Sequence, residues 1–84
     1  MPYILPQRRG MVEPRPVYPA STAGELNYQF TRLIVEYRAA HGEQYQTYND
    51  IFGALMGALM ELYRTQVAPY EDKKREDNGD VYSM

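Results

Sequence analysis

The residues able to do chemistry are few. There is no Cys, so the chain offers no thiol nucleophile, no disulfide framework and no cysteine-built zinc or iron–sulfur site. Its one histidine, His41, stands before Gly42 and reads as a helix-end residue rather than a general base. A single His also makes a His-built metal centre unexpected. No Gly-rich phosphate loop and no supported Ser-Asp-His set occurs. The acidic residues Glu71, Asp72, Glu76, Asp77 and Asp80 lack the alternation of a calcium loop and are interleaved with Lys73, Lys74 and Arg75. They read as a solvated face. Neither an enzyme nor a cofactor is expected.

A polar set remains that a helical core does not require. Arg8, Arg9, Asn27, Tyr28, Arg64 and Tyr70 pair flat rings with directional donors, as stacking on a base and clamping a phosphate require. Asn49, Glu61, Tyr63 and Tyr82 extend the set, and Glu61 with Arg64 at i, i+3 also suits an intrahelical ion pair. Tyr and Arg suit a protein interface equally well. Helix-turn-helix DNA binding is not expected, because the second helix carries no Lys or Arg before Arg64. A net charge of −2 supplies no general attraction to nucleic acid.

These residues are positioned by three regions. Residues 1–22 hold five of the six prolines and predict an extended arm, since proline fixes φ and removes a donor. Its apolar groups, among them Tyr3, Leu5 and Tyr18, would let it lie over a neighbouring subunit. Residues 23–40 predict a helix: Thr22 and Glu25 form a capping box, and Leu26, Phe30, Leu33, Ile34 and Tyr37 make one apolar stripe. Gly42 supplies its C-terminal stop. Residues 48–67 predict a second helix, with Thr47 and Asp50 in capping roles. A short polar helix or kinked continuation follows over 69–77, and Asn78-Gly79 ends it ahead of the tail 78–84. The expected fold is therefore all-α: a helical hairpin in a domain spanning 23–77.

The second helix carries ten apolar residues in a row, Ile51 to Met60, too few to span a membrane. A helix apolar all round needs more than one neighbour. A chain of 84 residues is also short of core, since domains near this size bury only roughly 60% of their unfolded surface. A homo-oligomeric bundle is expected, with Ile51, Phe52, Gly53, Leu55, Met56, Gly57, Leu59 and Met60 at its interface. The repeat Gly-Ala-Leu-Met at 53–56 and 57–60 stacks like residues every four positions, a smooth strip beside a bulky ridge. The strip would admit either a second helix at close range or a large side chain from the first helix.

Met1-Pro2-Tyr3-Ile4, Gly24-Glu25-Leu26-Asn27-Tyr28, Thr31-Arg32-Leu33-Ile34, Glu61-Leu62-Tyr63-Arg64, Pro69-Tyr70-Glu71-Asp72-Lys73 and Asn78-Gly79-Asp80-Val81-Tyr82 together resemble a family of small bacteriophage and prophage proteins of unassigned activity. Segment 10–22 departs from that pattern by its prolines. The resemblance implies a viral origin and the host cytoplasm as setting. It carries over no catalytic residues. The expected function is non-enzymatic: antagonising a host process, defence above all, by sequestering a nucleotide-like signal between subunits. The alternative is an adaptor, inhibitor or small virion component that binds a host or phage protein.

Overall fold

A computed structural model describes residues 2–13 and 18–82. The fold is all-α, and no strand occurs among the described residues. Two compact units divide the chain, one over Tyr3–Gly53 and the other from Ala54 onward.

In the first unit the arm is not wholly extended. Pro6–Arg9 form one helical turn, α1. Leu5, at ψ 137, keeps the extended backbone that a following proline imposes, and Pro6 then occupies the first helical position, where its missing amide costs nothing. Arg9 Nε donates to the Ile4 carbonyl at 3.0 Å and tightens this turn. Part of the predicted arm, 14–17, lies outside the described residues.

Helix α2 runs Ala23–His41, as its stripe and caps predict. Thr22 Oγ1 accepts from the Glu25 amide at 3.1 Å, and Glu25 Oε1 accepts from the Ser21 amide at 2.8 Å. At the far end Gly42 adopts φ 84, and its amide donates to the Arg38 carbonyl at 2.8 Å. Gln44 Nε2 then donates to the His41 carbonyl at 3.1 Å.

Helix α3, Tyr45–Leu62, begins earlier than the expected residue 48. Gly42 and Gln44 complete the turn so quickly that Thr47 and Asp50 fall inside the helix instead of capping it. The Tyr48 amide bonds the Gln44 carbonyl at 3.2 Å. Thr47 is buried at 3% exposure, while no apolar side chain among the described residues is buried.

Beyond Leu62 the helix does not stop. Tyr63–Val67 form a π segment, and α4 follows directly as Ala68–Asn78. Pro69 explains the wide turn. In an α-helix its ring would press on the carbonyl of Thr65, four residues back, and no amide would bond that carbonyl. The π segment relieves the clash: the Ala68 amide reaches back five residues to the Tyr63 carbonyl. The Thr65 hydroxyl donates to the Glu61 carbonyl at 2.7 Å beside it. Of the two forms expected over 69–77, the continuation is the one that occurs: α4 follows the second helix directly through the π segment. Gly79, at φ 92, terminates it as the Asn-Gly pair predicts.

Candidate functional site

Five of the six residues expected to contact a ligand have a local neighbour, and the sixth, Tyr28, is 65% exposed. Arg8 Nη1 lies 3.6 Å from Met11 Sδ, and Arg9 is spent on the α1 turn. Asn27 receives the Thr31 hydroxyl on its carbonyl at 2.9 Å and on Oδ1 at 3.3 Å. Arg64 clamps Glu61 with both ends of its fork, at 2.8 and 2.9 Å, which is the intrahelical pair read from their spacing. Tyr70 lies beneath Lys74, whose Nζ stands 5.5 Å from the ring centre. Arg8, Arg9, Asn27 and Tyr28 belong to the first unit, Arg64 and Tyr70 to the second.

Tyr28 alone of the six lines a groove in the first unit. The groove encloses about 480 Å³ and is walled by Tyr18, Tyr28, Arg32 and Leu33 together with the carboxylates Glu25 and Glu36. Gln29 Nε2 donates to the Tyr18 carbonyl at 3.3 Å and holds the segment before α2 against the helix. Tyr18 and Arg32, unlike Tyr28, escape a reading by residue type, because Arg32 sits on what reads as the solvated side of α2. A second groove, about 600 Å³, runs in the other unit from Tyr63 and Val67 past Glu71, Lys74 and Asn78 to Val81.

The densest polar cluster joins α2 to the start of α3. The Tyr37 hydroxyl donates to Asp50 Oδ2 at 2.8 Å, and Gln46 Nε2 donates to Asp50 Oδ1 at 2.7 Å. His41 stacks on Tyr37, ring centres 4.0 Å apart and planes 19° from parallel, and its Nδ1 lies 2.9 Å from the Tyr37 carbonyl. The Tyr37 hydrogen bond, then that of Gln46, holds Asp50 below the usual carboxylate range, with the charge of His41 acting the same way. The same bond, with burial and the Asp50 charge, pushes Tyr37 up. A tyrosine acting as acid or nucleophile needs the opposite shift. The cluster works as a pin between helices, and Asp50, read as a cap in the sequence, is its centre.

The apolar run is where the second helix departs most from its surroundings. At about 100° per residue, Leu55, Met56, Leu59, Met60, Leu62 and Tyr63 fall within an arc of about 160° on one side of the helix. Phe52 shares that stripe one turn earlier. Ala54, Gly57, Ala58 and Glu61 fall opposite. All the bulky members are exposed, Met60 at 66%, Leu59 at 59%, Met56 at 56% and Leu55 at 40%. A Cβ built on Gly53 meets no atom within 4 Å, so no side chain from the first helix packs on that glycine. Of the two uses read for the smooth strip, the intrachain one is unrealised at Gly53. No group of three or more potential metal ligands occurs among the described residues. No helix among them is long and apolar enough to cross a membrane.

No curated protein and no solved structure matches the chain. A family model described as a domain of unknown function, DUF6899, matches residues 1–81. Spanning nearly the whole sequence, that match makes the chain a member of the DUF6899 family.

Proposed function

We propose that the chain is a non-enzymatic docking module whose bulky α3 face binds protein. The exposure of that face carries the reading: Leu55, Met56, Leu59 and Met60 stand in solvent beside one another without an intervening charge. Burying a side chain of this size is worth about 1.5–3 kcal/mol relative to leaving it exposed. Contiguous apolar patches of this kind mark interaction surfaces in water-soluble chains. Methionine adds adaptability, since its unbranched thioether fills irregular gaps. The sequence resemblance to small phage proteins supports a viral setting, with the host cytoplasm as compartment and a host process, defence above all, as the target.

Photo-crosslinking tests this. A benzoylphenylalanine placed at Met56 should give discrete protein adducts in expressing cells, whereas one at Ala58, on the opposite side of the same helix, should give none. An adduct-free Met56 position would overturn the docking reading.

The groove at Tyr18, Tyr28 and Arg32 supports a second reading, the sequestering of a nucleotide-like signal. Two phenol rings suit stacking on a flat ligand and the Arg32 guanidinium suits a phosphate, although Glu25 and Glu36 line the same groove and oppose a highly charged anion. On this reading the contacts move from Arg8, Arg9, Asn27, Arg64 and Tyr70 to Arg32 and Tyr18, with Tyr28 retained. Calorimetry against linear and cyclic nucleotides checks it. Heat that vanishes in Arg32→Ala supports it, and the absence of heat at high protein concentration overturns it.

A further inference from the structure

Resting on the docking reading, we infer that the occupant of the α3 face is the same face of a second copy, crossing it steeply about a two-fold axis. The spacing of the exposed side chains argues for the geometry. Met56 and Met60 form one row at i, i+4, and Leu55, Leu59 and Tyr63 form a neighbouring row with the same step. Rows at i±4 slant across a helix and leave a groove between them. When two helices interdigitate rows of this one class, their axes cross at about −50°. A coiled-coil seam instead alternates steps of three and four. The Gly-Ala-Leu-Met repeat imposes the four-residue step, so the tandem repeat in the sequence sets the crossing angle.

The choice of a second copy over a foreign chain rests on area and charge. With about 200 Å² for a fully exposed large side chain, Leu55, Met56, Leu59, Met60, Leu62 and Tyr63 offer roughly 650 Å² at their observed exposures. That is the greater part of the roughly 800 Å² per partner of a stable interface. A two-fold contact sets a surface against itself, so any charge in it meets a like charge. No charged residue lies between Asp50 and Glu61. Glu61 stands on the opposite side of the helix and is occupied with Arg64. This face therefore carries no like-charge penalty to self-contact.

The absence of native cysteine makes the test clean. Light scattering at about 100 μM should return twice the 9.8 kDa chain mass. Leu59→Asp should weaken association at least ten-fold while the helical circular dichroism persists. Should that variant unfold instead, single cysteines decide. Met56→Cys and Leu59→Cys, near the crossing point, should oxidise to linked dimers, because their Cα atoms come within the roughly 7 Å that a disulfide needs. Ala54→Cys and Ala58→Cys should not. Cross-links of equal yield at Phe52→Cys and Tyr63→Cys would overturn the steep crossing. A monomeric wild type with no preference for positions 56 and 59 would overturn the second copy altogether. The docking reading then stands or falls separately, on whether the Met56 photo-crosslink captures a different protein.

Discussion

The Tyr37 hydroxyl reaches Asp50 across a turn, 2.8 Å from Oδ2, and so ties the last turns of α2 to the first turns of α3. With no buried apolar side chain among the described residues, polar ties of this kind and helix caps carry much of the local order. The turn at Gly42 and Gln44 brings the pair together, and the pin then holds the two helix ends.

The pin gives the chain a defined pH window. Asp50 is held below its usual range, so its contribution to stability is present above about pH 4 and is lost as pH falls through the depressed value. Tyr37 is pushed above its usual range, so its contribution is present below about pH 10 and is lost as pH rises through the raised value. Tyr37→Phe removes the largest influence on Asp50. The thermal midpoint should drop at neutral pH, and the acid limb of its pH profile should move upward. A variant whose acid limb overlies that of the wild type would disprove the assignment.

Gly53 and Gly42 should respond oppositely to alanine. A Cβ at Gly53 meets open space within a helix, so Gly53→Ala should stabilise the chain by up to about 1 kcal/mol. Gly42 holds φ 84, where an L side chain is strained, and Gly42→Ala should destabilise it by about 1–2 kcal/mol. Paired denaturant titrations measure both.

Thr22→Ala removes the hydroxyl that accepts from the Glu25 amide. A loss of about 1 kcal/mol in urea unfolding, with fraying limited to the first turn of α2 in amide exchange, is expected. Uniformly faster exchange along α2 would contradict it.

Pro69→Ala restores the missing amide. The π segment has already moved the Thr65 carbonyl out of the ring's way, so the gain should fall well short of the roughly 3 kcal/mol that proline costs inside a helix. The Ala68 amide should shift from the Tyr63 carbonyl to that of Arg64, visible as a changed hydrogen-bond coupling by NMR. A lowered thermal midpoint would contradict this account.

Much of this was legible in the residues, for local reasons. Thr22 with Glu25, Gly42 and Asn78-Gly79 mark helix ends because caps are chemistry between near neighbours. The run 51–60 announces a helix with too few partners because hydrophobicity needs no tertiary context to be counted. The Tyr37–Asp50 pin was not legible. It joins residues thirteen apart whose meeting depends on how quickly Gly42 and Gln44 turn the chain. The turn at Pro6–Arg9 was missed because five prolines outweighed the one suited to a helix start. The local partners of the expected ligand contacts were legible only in part. The Glu61–Arg64 pair follows from its i, i+3 spacing, whereas the bond from Arg9 to the Ile4 carbonyl depends on the Pro6–Arg9 turn.

The π segment also makes chain length near residues 63–67 matter more than composition. Its wide turn takes up about one residue more than an α ladder would, an angular offset of about 100° for everything that follows. Tyr63, Val67, Glu71 and Asn78 share one groove with that offset in place. A one-residue deletion there would close the wide turn to α and set the proline ring against the carbonyl four residues back, while an insertion would swing the charged positions of α4 around the axis and out of line with Tyr63. The stretch should therefore accept exchanges of side chain and resist insertions and deletions, as a gear tolerates a worn tooth but not a missing one.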